Sequence, residues 1–475
     1  MAELAGLLVA FLLIASLILV QLSRRSQPLS AARPLDVDSG LPLPEIGQAS
    51  TVFSLTALFG AYFGVYLVLG LPALCGLGVG TVIGLLMVRG WIRKQGSTTF
   101  EEFLVNMLRG DDTNASAFAF TVSGVQFAYA ASELLILHEV CRVCLGIRSD
   151  QATLVTICVA IVGYFYVLFG GYLAVYRTDI IQFVFVAAMA ISFANQAAHQ
   201  SVVDWSRVLA PRHGYWEPPF GATGVGYLRL TYQFLVAVVM GAGFIASAPD
   251  AWKRAFVVAR YRKKSLSRFV LFVAVGIFPF LVLIPFAMTT PVLPDGIVNL
   301  RQMFAGLLVN SAVFIAASTG LIASFLSAFD SAVLAGVHVS VIQRRLEKTV
   351  AIEVPRFYWR MVTALLTAFL VFQVFTLLGN PYLLANLLLG PVAIIAGVQA
   401  GSAAQPAHLR PKSLIWVISL ALLAWFLYFI SAVNRPTVPT TYQINTIPFG
   451  ALLCLIVALI AYLLKDRGNP HAGIR

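Results

Sequence analysis

Apolar residues in this chain come in long runs that recur from one end to the other. Thirteen runs approach or exceed the roughly 20 residues that a helix needs to cross a bilayer. They fall at about 3–21, 51–70, 72–92, 118–144, 151–170, 175–197, 227–248, 267–289, 312–341, 358–379, 382–400, 413–433 and 446–464. Two pairs are parted only by Pro72 and by Gly379-Asn380-Pro381. Three longer polar stretches interrupt the series. Residues 22–50 carry Pro and Ser and read as a surface linker. Residues 198–226 hold Trp205, Trp216 and Pro218-Pro219, aromatics that suit a membrane–water interface. Residues 290–311 hold Pro291 and Pro294 and predict a short half-helix.

Composition agrees with the pattern. Of the 475 residues, 59% are hydrophobic and 11% charged, against about 25% charged in a soluble domain. The chain is therefore read as an all-α integral membrane protein of about 13 transmembrane helices. No P-loop and no paired-carboxylate hydrolase pattern is present, so an enzyme is not expected. The net charge of +12 does not point to nucleic acid, because its distribution is topological. With the N-terminus outside, seven of the 32 Lys and Arg lie at or near the outer side (Arg142, Arg148, Arg207, Arg212, Arg229, Arg301 and Arg435), and the other 25 face the cytoplasm. The densest group runs from Lys253 and Arg254 to Arg268. This is the positive-inside bias, and it predicts a multi-pass protein of the plasma (inner) membrane with a cytoplasmic C-terminus. Basic loops of this kind can also touch anionic lipid. The run at 3–21 has no basic residue before it and Arg24-Arg25 after it, the reverse of a signal peptide, so it reads as a retained signal-anchor helix.

Cys141 and Cys144 form a Cys-x-x-Cys with His138 one turn earlier. A disulfide at that helical spacing is strained, and no second cluster completes a tetrahedral metal site. Packing is the better reading for these and for Cys75, Cys158 and Cys454.

Charged and hydroxyl residues inside the apolar runs are the candidate chemistry. Asp179 stands at the mouth of the sixth run, where a carboxylate is costly unless paired, hydrated or functional. Glu133 lies mid-way along the fourth and could accept a proton, bind a cationic group of a solute, or bond to a neighbouring helix. Ser324, Ser327 and Ser331 share one face of the ninth run, with Asp330 among them. Their oxygens suit a hard cation by the donor logic of calcium and magnesium sites, or they join helices by hydrogen bonds. Gln126, Gln182, Tyr232 and Gln233 could line a polar path. His338 reads as a packing residue. Two apolar runs carry small-residue interruptions: Ala57-Leu58-Phe59-Gly60 with Gly64, and Met240-Gly241-Ala242-Gly243-Phe244. Broken helices of inverted-repeat transporters read this way, and so does close packing through small residues.

The run Gly170-Gly171-Tyr172-Leu173-Ala174-Val175-Tyr176-Arg177-Thr178-Asp179-Ile180-Ile181-Gln182 resembles the start of the fifth core helix of the sodium:solute symporter family. Ser327-Ala328-Phe329-Asp330-Ser331 resembles the family's eighth core helix. Thr98-Thr99-Phe100-Glu101-Glu102-Phe103 looks like its T-x-x-E segment, and Trp252-Lys253-Arg254 like the basic loop after core helix six. The resemblance covers about residues 50–400. It implies a leucine-transporter-type 5+5 inverted-repeat core over 50–401, preceded by an extra transmembrane helix and linker (1–49) and followed by two more helices and a short tail (402–475). It also implies a symporter that moves a small organic solute by alternating access, with no cofactor beyond a coupling sodium ion. Sodium would be held by Ala57, Gly60, Ser324, Ser327 and Asp179. The solute would lie near Phe59, Gln126, Glu133, Gly241 and Phe244, the last standing where sugar-transporting relatives have a tyrosine gate. Ala328 departs from the family's second hydroxyl, and Leu58 and Phe59 stand where polar side chains are usual, so coupling to protons through Glu133 or Asp179 is the alternative. Transporter-like domains of this family also occur joined to signalling modules. A regulatory membrane subunit with a signalling partner is therefore the competing expectation.

Overall fold

The computed structural model describes residues 71–97, 99–108, 113–144, 146–199, 226–261, 311–343, 354–378, 382–402, 411–433 and 439–467. Its helices are α1 (Leu71–Gln95), α2 (Phe100–Leu108), α3 (Thr113–Glu139), α4 (Ser149–His199), α5 (Gly226–Ala246), α6 (Pro249–Tyr261), α7 (Ser311–Gln343), α8 (Val354–Leu377), α9 (Tyr382–Gly401), α10 (Leu414–Val433) and α11 (Pro439–Arg467). No strand occurs among the described residues. Among the described residues, six helices are long and apolar enough to cross a membrane, or seven if the bent pair α5 and α6 forms one span. The expected runs at 3–21, 51–70 and 267–289, the linker at 22–50 and the half-helix at 290–311 lie outside the described residues.

The sequence sets the breaks. Gly171 has φ 55° and ψ −152°, a conformation open to glycine and strained for other residues, and it divides α4 where the runs 151–170 and 175–197 were expected to part. α8 ends at Leu377 and α9 begins at Tyr382. Thr99 caps α2: its hydroxyl accepts the Glu102 amide at 3.1 Å and its carbonyl accepts the Phe103 amide at 3.0 Å. That satisfies amides the first turn cannot pair, and it gives Thr99-x-x-Glu102 a local structural role. Val140–Cys144 is a π-helical turn, and Cys141 is buried and free.

Of the two readings of Gly241-Ala242-Gly243, close packing holds: α5 runs unbroken from Gly226 to Ala246. Gly241 and Ala242 form a seam with α1, and Gly243 faces Ala396 of α9 and Cys454 of α11. A Cβ on Gly241 would come 2.5 Å from the Leu77 carbonyl oxygen, and one on Gly84 would come 2.7 Å from the Ile245 Cβ. Gly76 and Gly80 face the Phe234 and Val238 carbonyls at still closer range. Small residues let the two backbones touch, which drives helix pairing where lipid is as apolar as the helices. The break falls later, at Ser247-Ala248 before Pro249, where α6 turns away by 70°.

α7 sits at the centre. It packs against α2, α3, α4, α6 and α8, and its apolar span is buried throughout. α8, α10 and α11 lie at the periphery and expose rows of leucine such as Leu366, Leu370 and Leu377, the face a lipid-bathed helix presents.

Candidate cation and solute site

α6 carries the group that organises the centre. Its own sequence is short and basic, and neighbours hold it in place. The Trp252 indole donates to the Ile245 carbonyl at 3.2 Å across the bend. Trp252 meets Trp91 edge-on at 6.4 Å and Phe103 at 6.5 Å, and Phe256 packs on Phe100 and Phe103. So clamped, α6 directs Arg254 inward, where its side chain is fully buried.

Each guanidinium nitrogen has a partner. Nε donates to Asp250 Oδ2 at 2.7 Å, Nη1 to Asp179 Oδ2 at 2.9 Å, and Nη2 to the Ser331 hydroxyl at 3.0 Å. The other Asp179 oxygen, Oδ1, accepts from the Ser327 hydroxyl at 2.6 Å. The four partners come from α4, α6 and α7. Asp179, Ser327, Ser331 and Arg254 are 0% exposed. The expectation that Asp179 must be paired, hydrated or functional thus resolves first into a pair. Two charges once counted as cytoplasmic change place: Arg254 is buried in this network, and Lys253 is buried with its Nζ 3.9 Å above the Tyr172 ring. A guanidinium or ammonium is driven inside here because carboxylates and an aromatic face replace its water.

Of the residues expected to hold sodium, Ser327 and Asp179 come together, and Ser324 lies one turn away on α7. Ala57 and Gly60 lie outside the described residues, as does Phe59 of the solute set. The rest of that set divides. Glu133 is buried on α3 at 3% exposure, and its Oε2 has no hydrogen-bonding partner. Phe244 reaches it through Tyr129, which stands one turn before Glu133 and meets the Phe244 ring edge-on with centroids 5.8 Å apart. Gln126 faces α7, near Gly336. Gly241 belongs to the seam with α1.

Sequence reasoning missed Arg254 as a member of the site. Its only signal was a cluster of basic residues that topology already explained. Further orphans stand on other helices: both amide atoms of Gln182 (α4) and of Gln233 (α5) have no partner, and Asp330 (α7) is buried beside Ser331. Each such group costs about 1–3 kcal/mol when buried, so four helices carry polar groups that a solute, a proton or water would satisfy.

No family model matches the chain, and no curated protein matches it. Solved structures do. A Na+-coupled sialic acid symporter in a substrate-bound outward-open state aligns over 98% of both chains with a TM-score of 0.64 at 14% identity. A nucleobase-cation-symport-1 family transporter, closed on bromovinylhydantoin, aligns over 92% of this chain and 97% of its own with a TM-score of 0.49 at 13% identity. An Eremococcus coleocola manganese transporter aligns over 91% and 97% with a TM-score of 0.47 at 13% identity. The chain has the fold of the sialic acid symporter.

Proposed function

We propose that this protein is a secondary active transporter that moves a small organic solute across the plasma membrane by alternating access. The observation that carries this is the fold shared with a Na+-coupled symporter over 98% of both chains. Transporters of this kind place solute and ion between helices at mid-membrane, at the junction of two repeats. The buried polar groups of α3, α4, α5 and α7 match that use: a soluble-domain core would bond them internally, and here several stand unbonded.

Glu133 is the solute contact in this reading. Its carboxylate lies beside the Tyr129 hydroxyl, and the Tyr129 ring in turn meets Phe244, an acidic and aromatic grouping that attracts a cationic group. The same carboxylate can carry a proton through the cycle. The coupling cation, sodium or proton, acts at this carboxylate. The orientation proposed has the N-terminus outside and the C-terminus in the cytoplasm.

The test is a solute screen on the purified protein in detergent, read as thermal stabilisation. A ligand that binds only the folded state raises the melting temperature by mass action, by about 2.7 kcal/mol at 100 times its Kd. The expected hits carry an amine or quaternary ammonium group, and Glu133→Gln removes their effect. Hits confined to anionic solutes, unaffected by Glu133→Gln, would contradict this placement.

A further inference from the structure

We propose that the Arg254 guanidinium is itself the resident cation of the Asp179 site, so that this protein carries on its own chain the positive charge that the site requires and binds no sodium at Asp179. The inference deepens the transporter reading of the same site and rests on it.

Three facts lead there. The guanidinium is ringed by oxygens in the way a bound ion is. Its three nitrogens meet three oxygen ligands, from Asp250, Asp179 and Ser331, at 2.7, 2.9 and 3.0 Å. A planar fork with fixed donors suits such a ring of oxygens. The acceptors are also engaged, which leaves each oxygen at most one lone pair for another ligand. Asp179 uses one oxygen for Arg254 and the other for Ser327, and Ser331 already accepts from Arg254. Sodium at Asp179 would have to displace a guanidinium with nowhere to go, or sit beside it as a second positive charge in a buried place where like charges repel strongly. Two positive charges, Arg254 and the neighbouring Lys253 buried against Tyr172, already stand among the buried carboxylates Asp179, Asp250 and Asp330. Ala328, where a hydroxyl was expected, removes an oxygen that a free ion would use and a tethered one does not need.

The consequence is mechanical. A free ion arrives from solution and couples its gradient to the conformational change. A tethered one arrives with α6, which joins α5 through the 70° bend. Making and breaking the bridge then follows the movement of α6 against α4 and α7, whatever the sodium concentration.

The test uses the full-length protein in detergent, melted in sodium chloride and in choline chloride at equal ionic strength. Wild type is expected to melt at the same temperature in both. Arg254→Gly opens the cation position. It is expected to lose several degrees, and to regain most of the loss in sub-denaturing methylguanidinium chloride but not in equimolar urea. A sodium-specific rise in wild type that Asp179→Asn abolishes would overturn the proposal, and so would an Arg254→Gly variant that melts like wild type. If Arg254→Gly does not fold, binding of radioactive sodium to wild type decides: no Asp179-dependent binding supports a tethered cation, and a stoichiometric Asp179-dependent signal refutes it. These readouts are binding and stability, so their failure leaves the transport reading intact. A failure of transport would leave them interpretable in turn.

Discussion

Glu133 and Arg254 bring opposite charges into one apolar bundle and meet different surroundings. Arg254 finds two carboxylates and a hydroxyl; Glu133 keeps an oxygen free. Breaking a buried pair by removing one partner costs about 3–5 kcal/mol, while removing both charges costs far less. Asp179→Asn should therefore destabilise the protein strongly in thermal unfolding, and Asp179→Asn with Asp250→Asn and Arg254→Met, which removes all three charges, should recover part of the loss. Equal destabilisation by the single and triple changes would mean that the bridge does not hold the helices. Glu133→Gln keeps shape and hydrogen-bonding capacity but removes the charge. It should fold and reach the membrane, yet lower uptake per folded molecule at least about tenfold, equivalent to about 1.4 kcal/mol. Poor yield with normal uptake by the surviving molecules would make Glu133 structural. Glu133 and Asp179 were legible in the sequence because an acidic residue in an apolar run is anomalous by itself. Arg254 was not. It lies 75 residues from Asp179, in a basic cluster that membrane topology accounts for, and only the turn at Ser247-Ala248 aims it inward.

The helices show where pattern reading succeeds and where one pattern serves two purposes. Gly170-Gly171 marked a break, and Gly171 is that break. Gly241-Ala242-Gly243 looked equally like a break and is a packing seam, because a glycine that frees the backbone and a glycine that admits a neighbouring backbone are written alike. The seam gives a direct comparison. Gly80→Ala would press a methyl into the Val238 carbonyl and to 2.9 Å from the Ala242 amide, whereas a Cβ on Gly90 has nothing within 4 Å. Overpacking costs about 1–3 kcal/mol, and relief of a helical glycine returns about 0.5–1 kcal/mol. Gly80→Ala should melt lower than wild type and Gly90→Ala the same or higher, by fluorescence-detected unfolding in detergent. Equal melting of the two variants would show that α1 and α5 do not meet through this seam.

At the scale of the whole molecule, long apolar runs and sparse charge gave the class directly, because the bilayer demands them whatever the function. The resemblance in two short motifs gave the fold, which the sialic acid symporter shares at 14% identity. The solute was not legible, since the candidate polar side chains come from helices far apart in sequence. The positive-inside bias predicts that a cysteine placed at Lys263 reacts with impermeant reagents only from the cytoplasmic side, and labelling from outside intact cells would invert the topology. The central claim is that the molecule alternates access, and solute counterflow tests it most directly, because exchange requires neither a known coupling ion nor an imposed gradient. Proteoliposomes loaded with an unlabelled solute from the thermal screen are diluted into a trace of the labelled one. Alternating access predicts a transient accumulation of label above its equilibrium level, absent from protein-free liposomes. A solute that stabilises the protein yet gives no overshoot would contradict transport and leave a binding protein in a transporter's fold.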